Sequence, residues 1–213
     1  MPGSLWIGRR GDIRTVSADV ARVLGEELGL ARPPTAGALP ADSAGVPAGS
    51  LLPPRERFSG MPARTHGFVY VDTPVPRRFE LRVSVLGGRW SMRRGLGLGP
   101  LLYAVPLNAP LTGRVALGSP GGSGPAPFDG EPGSVGRLNA DADLVSRANA
   151  VAPTMVGPDR LHTWQVDRLL AVEPLAPGAL LVVRTFHRST PGGWTLRADA
   201  VLDVADRIEA ALR

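Results

Sequence analysis

At 213 residues with 43% hydrophobic and 20% charged content, the chain can bury a sizeable core and is too apolar to stay unfolded. It has no cysteine, which excludes disulfides, thiolate metal sites and a cysteine nucleophile, and its 27 glycines and 22 prolines argue for many turns and against a helical bundle. All 24 basic residues are arginine, so a Schiff-base lysine and a P-loop lysine are excluded as well.

A GC-rich coding sequence is enough to explain a preference for arginine, so the identity of the basic residues assigns nothing. Their placement is more informative. Residues 1–54 set five arginines against five acids, and residues 55–114 set ten arginines against Glu56, Asp72 and Glu80, for +7. Residues 115–213 set nine against eleven, for −2, so the whole excess of +5 lies in the middle third. Such a patch suits nucleic acid, anionic lipid, an acidic protein or the acidic C-terminal third of the same chain.

The first residues, MPGSLWIGRRGDIRTV, lack the apolar run of a secretory signal, which favours a cytoplasmic location. Ser17 is placed to cap a helix in which Val20, Val23, Leu24 and Leu28 recur at helical spacing until Gly29 stops it. Residues 31–54 are dominated by Pro, Ala, Gly and Ser and read as an extended linker, which would leave the helix as a separable arm.

Strands become convincing after that. HGFVYVDTP is a short strand ended by Pro74. In RFELRVSVLGGRWSMRR, Phe79, Leu81, Val83 and Val85 point one way and Glu80, Arg82 and Ser84 the other. Gly87-Gly88 between two such runs predicts a hairpin that pairs Val85 with Trp90, Val83 with Met92 and Arg82 with Arg93. Beyond it, Trp90, Met92, Leu96 and Leu98 continue the apolar face, while Gly95, Gly97 and Gly99 leave the other face bare, open to a backbone or ring.

Residues 118–136 read as a glycine-proline loop, and 137–213 as an α+β unit. Within that unit a helix is predicted over about 140–151, with Leu144, Val145 and Ala148 on one side. ALLVVRTFH is an apolar strand turned by STPGG into WTLR. A last helix from Asp199 buries Val201, Val204, Ala205, Ile208 and Leu212. Residues 160–173 fit both strand and helix, and the PLAPG turn favours a hairpin.

Candidate chemistry is thin. Asn139, Asp141 and Asp143 have the one-three-five spacing of a calcium loop, but Leu144 and Ala150 stand where that loop needs glycine and glutamate. The segment therefore reads as an acid-rich helix start. His66, His162 and His187 form no metal-ligand spacing, and Ser123 and Ser134 each miss one glycine of a nucleophile elbow. No cofactor, metal or catalytic residue is expected. An uncharged run of nineteen residues after Arg94 contains Pro100, Pro106 and Pro110, which argue against a spanning helix. Shallow insertion of Leu101, Leu102 and Tyr103 beside the arginines is the membrane-peripheral alternative.

The expected protein is α+β: a mostly antiparallel twisted sheet, a C-terminal helix packed on it, and a tethered N-terminal helix. Its expected segments are a helical arm (1–30), a linker (31–63), an arginine-rich hairpin region (64–117), a loop (118–136) and an α+β unit (137–213). Its expected role is non-catalytic binding or assembly. Arg77, Arg78, Arg82, Arg89 and Arg93 would form an electrostatic surface, and Gly95, Gly97 and Gly99 a close-approach face. The partner would be an acidic protein surface or an anionic membrane, with nucleic acid bound only non-specifically. The N-terminal helix could join a second copy, because its apolar stripe needs burial. The competing expectation is a small hydrolase or transferase using a histidine with a carboxylate or a serine in a loop-lined cleft, the serine version being Ser134 or Ser189 with His162 or His187.

Overall fold

A computed structural model of the chain describes residues 13–38, 50–51, 63–74, 76–86, 97–118, 124–152, 155–156, 165–166, 169–185, 188–190 and 193–213. The class is α+β, as the hydrophobic pattern predicts. Twelve strands are described: β1 Thr35–Ala38, β2 Ala63–Val71, β3 Phe79–Leu86, β4 Gly97–Leu107, β5 Val115–Leu117, β6 Phe128–Gly130, β7 Met155–Val156, β8 Gln165–Val166, β9 Leu170–Leu175, β10 Gly178–Thr185, β11 Arg188–Thr190 and β12 Gly193–Thr195. The helices are α1 Ile13–Glu27, α2 Pro132–Ala140, α3 Ala142–Val151 and α4 Ala198–Leu212.

Eight strands form one sheet in the order β1-β2-β3-β4-β10-β9-β5-β6, and every ladder in it whose register is described runs antiparallel. The chain divides into two compact units, residues 1–102 with 186–198 and residues 103–185 with 199–213.

In the first unit, α1 lies against β1 and β2. It starts at Ile13, a turn before the expected cap. Ile13, Val16, Val20 and Leu24 form its buried stripe, and Ser17 is buried inside the helix instead of capping it. Burial of one more apolar turn against the sheet outweighs a cap preference of about 1 kcal/mol. Gly29 ends the helix with a φ of 61°, as predicted. The apolar stripe of α1 is thus buried within the unit, against β1 and β2. Part of the expected linker, Thr35–Ala38, is ordered as β1, paired with β2 from Thr35↔Tyr70 to Ala38↔Gly67. The Glu27 carboxylate closes the unit by accepting from the backbone amides of Leu196 (2.9 Å) and Ala198 (2.8 Å). These bonds flank Arg197, a buried residue held at a φ of 65°.

In the second unit, the expected loop 118–136 holds β6 and the start of α2. Asn139 and Asn149 order it. Each amide side chain takes one backbone N–H and returns a bond to the carbonyl of the same residue, Phe128 and Ala126 respectively. These reciprocal bonds do what glycine and proline alone could not. Glu131 caps α2 and Pro132 takes its first position, a start signal hidden among glycines. Asp141 caps α3, in agreement with the helix-start reading of Asn139 to Asp143. The predicted stripe of α4 is buried, and Glu209 of that helix accepts from the Asn108 amide just past β4. Strands β8 and β9 cover parts of 160–173, as the hairpin reading expects; residues 157–164 lie outside the described residues.

A Cβ on Gly67 would overlap the Ser17 Oγ and approach the Gly37 carbonyl oxygen to 3.0 Å. Gly67→Ala therefore destabilises by about 1–3 kcal/mol in urea unfolding. Ser17→Ala is neutral or stabilising, because the buried Ser17 hydroxyl has no hydrogen-bond partner among the described residues. The Glu131 carboxyl is held below its ordinary range by the Ser134 hydroxyl and amide and by the Gly133 amide. Its stabilisation is present above the unfolded-state value and fades as pH falls through the lower folded value. Glu131→Ala thus lowers Tm at neutral pH, and the difference from the parent vanishes at acid pH below the ordinary glutamate range.

Candidate binding surface

The alternation read in β3 is correct in direction, but exposure differs from expectation. Phe79, Leu81 and Val83 are buried on one face. Glu80 and Arg82, on the other, are also buried, at 1% and 5% exposure. Arg82 is therefore not part of a solvent-facing electrostatic surface. Its Nε donates to Glu80 Oε1, and its other guanidinium nitrogen donates to Ser50 Oγ at 2.7 Å. The second Glu80 oxygen accepts from Ser50 Oγ at 2.8 Å and from the Leu51 amide at 2.6 Å. Ser50 and Leu51 cover this face, and their polar groups are what make a buried ion pair tolerable there.

Arg77 and Arg78 precede β3. Arg78 is exposed and lies over the Tyr70 ring, 5.3 Å from its centroid, with Nε on the Tyr70 hydroxyl and Asp72 at 3.7 Å. A guanidinium stacked this way is oriented while still facing water. Arg89, Arg93 and Gly95 lie outside the described residues, as do the Gly87-Gly88 turn and the pairings predicted across it. Gly97 and Gly99 fall on one side of β4, which stands between β3 and β10 in the strand order.

Leu101, Leu102 and Tyr103 belong to the buried run of β4. The shallow-insertion alternative required them at the surface, so it is corrected: successive side chains point to opposite faces of a strand, and all three are buried, so both faces are covered there. Among the described residues no helix is long and apolar enough to cross a membrane. His66 stands opposite Ser84 in the β2–β3 ladder, while His162 and His187 lie outside the described residues. Ser134 is buried, and its hydroxyl is bonded to Glu131. That contact makes it part of the α2 start rather than an exposed nucleophile.

The division into units sharpens the charge distribution. By sequence, the first unit carries sixteen arginines and eight acids, net +8, and the second eight arginines and eleven acids, net −3. In the second unit the acids meet arginines internally. Arg147 bridges Asp143 (2.9 Å) and Asp203 (3.1 Å), and Arg207 reaches Asp143 (3.0 Å) and Asp203 (3.4 Å). The hydrogen bond from Arg147, with the charges of Arg147 and Arg207, holds the Asp143 carboxyl below its ordinary value. The hydrogen bond to Asp143, with the charges of Asp143 and Asp203, raises Arg147.

No family model, curated protein or solved structure matches this chain. The surface must therefore be read from its own chemistry. Besides the arginines, the first unit has a groove of about 760 Å³ between α1 and the chain leading into β1. Ala18, Ala21 and Gly25 form its helical wall, and Leu30, Pro34 and Ala36 the other. The Arg22–Glu26 ion pair, 2.8 Å long, lies on its lining. Periodicity gave no sign of this groove, because small residues between apolar ones carry no pattern of their own.

The buried pair yields a double-mutant test. Arg82→Met leaves Glu80 buried without its cation and costs about 3–5 kcal/mol in chemical denaturation, whereas Glu80→Leu with Arg82→Met recovers most of that loss. An effect below about 1 kcal/mol for the single change, the size expected of an exposed pair, would contradict the burial.

Proposed function

We propose that the protein is a non-catalytic binding or assembly protein, and that its arginine-rich first unit docks an acidic surface of a partner protein. The charge of +8 on that unit, against −3 on the other, is the observation that carries this reading. A surplus of this size raises the encounter rate with acidic partners and orients them. Arg78, exposed and stacked on Tyr70, is a contact group of this surface, with Arg77 beside it and Arg89 and Arg93 as further candidates. Arg82 is withdrawn from the contact set and given to the interior.

An acidic protein is favoured over a membrane because the apolar residues once available for insertion, Leu101, Leu102 and Tyr103, are core residues. It is favoured over base-reading nucleic-acid binding because Phe79 is buried and offers no stacking face. Polynucleotides would bind by charge alone. The acids of the second unit are a weaker internal alternative, since Asp143 and Asp203 already have arginine partners there.

The test is fluorescence titration against polyglutamate, with vesicles of phosphatidylcholine containing phosphatidylserine as a second arm. Binding to polyglutamate is expected at about 20 mM salt, weakening steeply by about 300 mM as the Debye length shortens. Replacing Arg77, Arg78, Arg89 and Arg93 together by Ser should lower the affinity at least about tenfold. Absence of binding at low salt, or indifference to those four changes, sinks the proposal; tighter binding to the vesicles than to polyglutamate would transfer it to a membrane.

A further inference from the structure

Strand β1 is an edge strand of the described sheet. Thr35–Ala38 pairs with β2, and no other strand pairs with it among the described residues. Sheets usually protect such edges with charge, proline or a bulge. TAGA contains no charge and no proline, and Pro33-Pro34 stand just before it. In an antiparallel ladder alternate residues direct both N–H and C=O away from the paired strand, so two of these four residues offer backbone groups outward.

The groove adjoins this strand at Ala36, on the side of the sheet that carries α1. Ala36 lines it and pairs with Val69, whose side chain is buried. A strand added beside β1 would send every second side chain toward the groove and bond its backbone to the edge. An edge strand and an apolar cleft are separate features, and strand addition requires both. Charge supplies a third. Arg32 is exposed, stands between the lining residues Leu30 and Pro33, and has no ion-pair partner among the described residues.

We infer that β1 and this groove bind an extended segment of the acidic partner, added antiparallel to β1, with alternate apolar side chains in the groove and a carboxylate on Arg32. The inference rests on the proposed acidic-partner reading and gives that partner a form. Antiparallel addition follows the other described ladders of the sheet. It places the C-terminal end of the segment at the start of β1, so the acid follows the apolar residues.

The experiment uses the full chain and three amide-capped, labelled hexapeptides of the pattern X-Thr-X-Thr-X-Asp, where X is Ala, Val or Leu, read by fluorescence anisotropy. At least one should saturate. Methylating alternate backbone nitrogens of that peptide should weaken it at least about fivefold, through lost edge hydrogen bonds. Ala18→Phe fills the groove from an exposed helix position and should weaken it comparably. Arg32→Glu should weaken the Asp-ended peptide and leave its Asn-ended counterpart unchanged.

No saturation by any of the three peptides up to about 1 mM overturns the inference. Binding that ignores both backbone methylation and Ala18→Phe overturns it too. Polyglutamate titration of the parent and of Ala18→Phe separates the two readings. Polyglutamate bound without any peptide removes strand addition alone, whereas neither bound removes the acidic-partner reading as well.

Discussion

A carboxylate and a guanidinium withdrawn from water on the same strand constrain the first unit more than any apolar contact does. Once Glu80 and Arg82 are buried, every lone pair and every donor on them needs a partner, because each unmet one costs more than a well-made bond returns. Arg82 meets one carboxylate oxygen, and Ser50 and Leu51 meet the other. The opposite face of the same strand is filled by Phe79, Leu81 and Val83. β3 is therefore committed on both sides, and β2, paired with it from Val71↔Phe79, inherits its register. The seat for α1 over Gly67 follows from that register.

The two units spend their charges differently. In the second, Arg147 and Arg207 are held between aspartates of α3 and α4, so they work as cross-braces on exposed surfaces. In the first, acids are too few to do this for sixteen arginines. Among its described arginines, Arg82 and Arg197 are buried, and Arg78 lies over the Tyr70 ring.

Much of the fold was legible where residue spacing alone carries the information. The alternation of residues 79–83, the stop at Gly29, the stripe of α4 and the cap at Asp141 all appear where the pattern puts them. The less legible elements were those whose order comes from distant partners. β1 is four small residues whose strand form depends on β2. β6 and the start of α2 depend on Asn139 and Asn149, whose amides clamp backbone 11 and 23 residues away. The candidate surface was half legible: Arg78 lies outside as expected, and Arg82 does not.

By itself the sequence determined which residues share a face, where most helices end and which part of the chain holds the charge, because these depend on neighbours along the backbone. It could not determine which faces are covered. Polar residues at alternate positions of a strand look the same whether water or another segment lies over them. Only the tertiary structure brought Ser50 and Leu51 onto Glu80, seated α1 on Gly67 and opened a groove beside the edge strand β1. Burial is a property of what the rest of the chain does, and local periodicity has no access to it.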